Sequence, residues 1–162
     1  MLKFTIHLLA SGLLFTPLWV NAGTTTATVT VKVTLVAPPP CVINDDNPIE
    51  VEFGDVLTTQ VNGNNYRIPV NYTLSCTNGT SNDLKIKVQG NGADFDASVL
   101  RTNIAGLGIA LQIGETAMPI NSWLNFTYPD NPQLWAVPVK QAGATLTAGE
   151  FSAAATMKVD YQ

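Results

Sequence analysis

An all-β sandwich is the fold that this 162-residue chain predicts, and three observations carry the prediction. Short runs of strictly alternating apolar and polar residues recur along the chain, which is the period of a half-buried strand. Clusters of Asn, Gly, Asp and Pro separate these runs, as turns require. No stretch of any length carries the apolar stripe of a helix. The composition agrees, being rich in Thr, Val, Asn, Gly and Ala and only 12% charged, a balance that favours strands and turns.

The first segment is not part of the fold. Lys3 supplies a positive charge, an apolar stretch runs from Leu8 to Val20, and Val20-Asn21-Ala22 has the small-residue pattern of a cleavage site. Residues 1–22 therefore read as a secretory signal peptide, with Gly23 as the first mature residue. The stretch is too short and too early for a stable membrane anchor.

Residues 26–35 alternate without a break. Ala27, Val29, Val31, Val33 and Leu35 point one way; Thr28, Thr30, Lys32 and Thr34 point the other. Pro38, Pro39 and Pro40 follow. A proline run donates no backbone hydrogen bonds and favours extended geometry, so it uncouples what lies on either side. Residues 23–40 thus form an N-terminal extension with a detached strand and a proline hinge, and residues 41–162 form the folded domain.

Within that domain strand signals come at short intervals. Ile49, Val51 and Phe53 alternate with Glu50 and Glu52 before Gly54 interrupts. After the turn at residues 62–65, Ile68, Val70, Tyr72, Leu74 and Cys76 share a face of one long strand, residues 66–76. Leu84, Ile86 and Val88 alternate with Lys85, Lys87 and Gln89. Residues 107–113 form a further strand, residues 118–120 a short return, and residues 134–139 another strand, in which Pro138 marks an edge or bulge. The last strand, residues 151–161, places Phe151, Ala153, Ala155, Met157, Val159 and Tyr161 on one face, and Gln162 follows.

The strand inventory does not close. An immunoglobulin-like sandwich would add one more strand beside the last, and none remains in the sequence. A spare apolar strand waits at the other terminus. Without a neighbour, the last strand leaves unpaired backbone and a hydrophobic groove, which is costly. The fold class is therefore an incomplete immunoglobulin-like β-sandwich lacking its last strand, with a donor-type extension. That extension either folds back on its own domain or completes a neighbour's.

Cys41 and Cys76 lie in an exported chain, where two cysteines most simply form one disulfide. Closing a loop of this length stabilises the fold by about 3–4 kcal/mol in the chain-entropy model. Removing Lys3 with the leader leaves 7 basic against 12 acidic residues, a net charge of −5. No basic cluster exists, which argues against a nucleic-acid partner.

Enzyme chemistry finds no footing. The only histidine, His7, leaves with the leader, so no mature histidine can act as base or metal ligand. Asp45-Asp46 sits among asparagines in a turn, and Asp94 and Asp96 read as loop; neither pair has the spacing of a calcium loop. No catalytic residue, metal site or cofactor is assigned. Trp123, Phe126, Tyr128 and Trp135 suggest core or interface packing before a sugar platform, although a single-domain carbohydrate-binding adhesin is the second functional class. A self-complemented periplasmic module is the third. The sequons at Asn71, Asn78 and Asn125 read as chance in an Asn/Thr-rich chain.

Taken in order, the pieces resemble the pilin subunits of chaperone–usher fimbriae, the type 1 and P pilus family. They are the alternating extension before Cys41, the Cys41-Val-Ile-Asn stretch, residues 49–54, Cys76 at a strand end, residues 107–111, and the glycine, alternating apolar residues and penultimate tyrosine of residues 149–161. The resemblance covers essentially the whole mature chain and implies a minor structural subunit rather than a two-domain tip adhesin. It implies that a periplasmic chaperone lends the missing strand and that an outer-membrane usher exchanges it for the next subunit's extension. Ala27, Val29, Val31, Val33 and Leu35 would then enter a preceding subunit's groove. Phe151, Ala153, Ala155, Met157, Val159, Tyr161 and Gln162 would form one wall of this subunit's own groove and its C-terminal motif, with the terminal carboxylate anchored on the chaperone. Neighbouring pilin subunits are the lasting partners, the cell-surface fimbrium is the destination, and any host glycan is met only indirectly. Extensions in this family commonly carry a glycine where Val33 stands, so this one needs either a roomier pocket in its acceptor or a shifted register.

Overall fold

Leu84, Ile86 and Val88, the apolar half of an alternating run, are all buried, and Ile86 has no exposed surface at all. In the computed structural model, which describes residues 40–77 and 79–162, they form the inward face of the central strand of a three-stranded sheet. The leader, the alternating segment 26–35, Pro38 and Pro39 lie outside the described residues.

The chain opens with β1 (Cys41–Ile43), then β2 (Ile68–Val70), β3 (Leu74–Cys76), β4 (Asp83–Gly90), β5 (Gly92–Ala93), β6 (Asp96–Arg101), β7 (Leu107–Ile113), β8 (Thr116–Met118), β9 (Leu124–Thr127), β10 (Leu134–Lys140) and β11 (Ala155–Tyr161). One sheet runs β2-β10-β7-β6-β5, with β8 also paired to β7. The other runs β11-β4-β9, and β1 pairs separately with β3. All the ladders are antiparallel. The fold is an immunoglobulin-like β-sandwich, and its core fills the space between the two larger sheets: Ile86 and Val88 from one, Ile109, Leu111, Leu134 and Ala136 from the other. Burying such side chains contributes about 1.5–3 kcal/mol each. A smaller cluster of Val61, Leu107 and Leu146 closes one end.

Four expectations need correction. Residues 66–76 are not one strand: β2 pairs β10 and β3 pairs β1, so the chain leaves the larger sheet across residues 71–73 while keeping its alternation. Residues 49–53 belong to no strand; Ile49, Val51 and Phe53 pack on the core, but their backbone has no ladder partner among the described residues. The last strand begins at Ala155 rather than Phe151, because Ala155 pairs with Gly90, the final residue of β4, and β4 offers nothing further. Strands β1, β5, β6 and β9 form where no strand was expected. Pro138 sits as anticipated: β2 reaches only to Ala136, so at Pro138 β10 has a partner on one side alone, a placement that proline tolerates.

Candidate functional site: an apolar groove beside the last strand

Strand β11 pairs with β4 along one edge through seven register positions, Ala155↔Gly90 to Tyr161↔Leu84. Its other edge carries no strand among the described residues. Beside that edge lies a groove of about 540 Å³. One wall is the unpaired segment 49–53, presenting Ile49, Val51 and Phe53. The opposite wall is Phe151, Ser152, Ala153, Ala155, Thr156 and Met157. The floor is the sandwich core itself, with Val70, Val88, Leu100, Ile109, Leu111 and Leu134 reaching it.

Each wall has its own local cause. Alternation holds residues 49–53 against the core through three apolar side chains, with Glu50 and Glu52 exposed between them. Residues 150–152 run beyond the reach of β4 and are held instead by Asn103. Its side-chain amide donates to the Glu150 carbonyl at 3.1 Å, its Oδ1 accepts from the Ser152 amide at 2.8 Å, and its own amide donates to the Ser152 carbonyl at 3.3 Å. One asparagine thus serves three main-chain groups that would otherwise lack partners within the wall. Sequence reasoning missed Asn103, because no spacing rule ties an asparagine in one turn to a segment almost fifty positions later.

The structure brings together only part of the expected C-terminal set. Phe151, Ala153, Ala155 and Met157 line the groove. Val159 packs against the main core opposite Ile86. Tyr161 and Gln162 lie at the far end of β11, where the Tyr161 hydroxyl accepts from the Thr80 amide at 3.1 Å. The Gln162 side-chain amide donates to the carbonyls of Leu84 at 3.1 Å and Phe126 at 3.2 Å, tying the terminus across the edge of the sheet. Residues 27–35 lie outside the described residues.

Cys41 and Cys76 are joined by a disulfide and face each other in the β1–β3 ladder. Tyr72, packed on the core, donates its hydroxyl to the Pro132 carbonyl at 2.6 Å, and burial pushes its pKa up to about 12. Asp96 is held below the ordinary carboxylate range by hydrogen bonds from the Ser98 hydroxyl and amide.

The aromatic residues do not form one platform. Trp123, 41% exposed, precedes β9 on the smaller sheet and has the Lys87 and Lys85 ammonium groups 4.4 and 5.3 Å from its ring centroid. Trp135 belongs to β10 on the larger sheet and is covered by the Arg67 guanidinium at 3.9 Å. Phe126 packs inward on the core.

An immunoglobulin-like domain whose last strand has, among the described residues, no partner on its outer edge above an apolar groove is the architecture of a pilus subunit. The chain belongs to the fimbrial protein family, whose model matches residues 27–162, and it is a structural subunit of a pilus of the chaperone–usher class. It is 44% identical over 146 residues to the uncharacterized fimbrial-like protein YfcR of Escherichia coli (strain K12), covering 87% of this chain and 84% of that protein. It is 30% identical over 136 residues to the minor fimbrial protein PrsF of Escherichia coli, covering 76% and 81%. Among solved structures it is similar to the P pilus adaptor subunit PapF, at 29% identity and a TM-score of 0.58, covering 78% of this chain and 98% of that one. These relatives are fimbrial structural proteins, not enzymes, and they imply an extracellular place in a pilus.

Proposed function

We propose that this chain is a minor subunit that joins its neighbours by strand addition. Its groove accepts the N-terminal extension of the adjoining subunit, and its own Ala27, Val29, Val31, Val33 and Leu35 enter the groove of the subunit on the other side. The observation that carries this reading is the outer edge of β11, which has no strand partner among the described residues and stands over an apolar floor made of the domain's own core. Backbone hydrogen bonds along such an edge give affinity, and pockets for alternate side chains give specificity. Burying four or five aliphatic side chains contributes roughly 6–15 kcal/mol before ordering costs.

The route follows from the same physics. The leader, cleaved after Ala22, sends the chain to the periplasm. A groove left open there exposes the core and an unpaired edge, so a periplasmic chaperone fills it first and an outer-membrane usher exchanges that strand for a subunit's extension. The completed fibre contributes to adhesion, and this chain carries no chemistry of its own. The test is expression of the mature chain alone, with a donor strand fused after Gln162, and with a co-expressed chaperone. Instability alone with rescue by either addition is the expected result; a stable monomer without them would sink the reading.

A further inference from the structure

The rim of the groove is acidic along one side. Between residues 45 and 55 the chain places Asp45, Asp46, Glu50, Glu52 and Asp55, with no lysine or arginine among them. Asp46 lines the groove, while Glu50 and Glu52 stand exposed along the wall whose inward residues are Ile49, Val51 and Phe53. The ion pair found among the described residues joins Arg101 to Asp94, neither of which lines the groove. The facing wall carries Glu150 ahead of it, and the polar face of β11 carries Lys158 and Asp160 opposite Lys87 and Lys85 of β4, so the excess of negative charge belongs to the 45–55 side.

A strand lying between the two walls turns alternate side chains down onto the apolar floor. Its other side chains stand up between the rim residues, at cross-strand distances where opposite charges attract and like charges repel. We propose that this groove selects its donor strand by the charge of that outward face. It takes a segment with apolar residues at alternate positions and a lysine or arginine between them. The proposal rests on the strand-acceptor reading above. The chain's own residues 26–35 have the required chemistry, since Lys32 is their single charge and lies on the face opposite Val31 and Val33. The carboxylates act over a Debye length, about 10 Å at moderate salt. An acidic outward face is therefore slowed before any apolar contact forms.

The experiment uses the chain from Gly23 carrying Val31→Asp and Val33→Asp in its own extension, so that copies do not compete. It is refolded from denaturant with synthetic peptides spanning residues 26–35. The native peptide should be captured, and the Lys32→Glu peptide should be captured roughly three- to tenfold more slowly at low salt. That difference should close near about 1 M salt and narrow when the chain also carries Glu50→Gln and Glu52→Gln. A Val31→Asp, Val33→Asp peptide should fail throughout. Equal capture of the native and Lys32→Glu peptides, with the doubly aspartate-substituted peptide still failing, overturns charge selection and leaves strand acceptance standing. A difference left unchanged by Glu50→Gln and Glu52→Gln overturns the role of this rim. Failure of every peptide overturns acceptance of this chain's own type of extension, and charge selection of it as well; the fused-donor and chaperone rescue above tests strand acceptance separately.

Discussion

Phe53 and Phe151 meet from opposite walls of the groove, with ring centroids 5.7 Å apart and planes tilted by 38°. Phe53 packs on the main core, while Phe151 touches both that core and the smaller Val61–Leu107–Leu146 cluster. The pair therefore sets the spacing of two segments that share no ladder. Phe151→Ala is expected to destabilise a strand-complemented form by about 2–3 kcal/mol, below the ~3–5 kcal/mol of a fully buried phenylalanine because the ring is only half-buried. Phe53→Ala should cost less. The double variant should lose less than the sum, by about 0.5–1.5 kcal/mol of ring–ring coupling. Thermal or denaturant unfolding of the four proteins reads this directly, and strict additivity would show that the rings do not couple the walls.

Asn103 should matter more to the wall than to the whole. Asn103→Ala removes its side-chain contacts to Glu150 and Ser152, with an expected loss of about 1–2 kcal/mol. Hydrogen exchange at the Ser152 amide should accelerate well beyond that of amides in β4 and β10. Uniform acceleration across both sheets would contradict a local role.

The disulfide closes a loop between positions 35 apart. Replacing Cys41 and Cys76 together by serine is expected to lower stability by about 3–4 kcal/mol. Unfolding of a complemented form with and without reductant checks the figure, and the serine variant should be insensitive to reductant.

Tyr72 gives the fold an alkaline limit. Its folded-state pKa lies above that of an unfolded tyrosine, near 12 against 10.0. The folded state therefore favours the protonated phenol. That contribution is fully present below about pH 10 and is lost as pH rises through about 12. Stability should fall over this window in the native chain, and Tyr72→Phe should flatten the fall while giving up the hydrogen bond to Pro132. Phenolate absorbance recorded alongside unfolding would detect a failure, namely the same alkaline loss in both proteins.

Polymerisation should depend on the apolar face of the extension. If the proposed strand exchange holds, with capture using the groove and assembly also using the extension, Val31→Asp and Val33→Asp are expected to block assembly into fibres while leaving capture by a chaperone intact. Size-resolved assembly assays separate the two activities. Equal loss of both would argue against a donor role for that face.

Much of the sandwich was legible, and the reason is the link between period and burial. Residues 107–113 form β7 as expected, and the run through Leu84, Ile86 and Val88 is the buried face of β4. Periodicity reports which side chains are buried, however, and not which backbones are paired. Ile49, Val51 and Phe53 alternate as well as any strand, yet their segment has no ladder among the described residues. Residues 66–76 keep one period while changing partners. Strand β9 is four residues long, too short for its alternation to stand out. Strand β6 buries the adjacent residues Val99 and Leu100, which breaks its period. The groove was legible only as a shortage of strands. Its floor and its Asn103 clamp depend on long-range contacts that no local pattern carries.

The bridge between Cys41 and Cys76 also decides where tension enters the domain. A pull on the chain ahead of Pro40 would, without the bridge, unzip β1 from β3 one residue pair at a time, beginning at Cys41↔Cys76. With the bridge, the first pair is covalent, and the load passes at once into β3 and the chain that follows it. The mechanical weak point of a subunit is thereby moved off its own N-terminal strand.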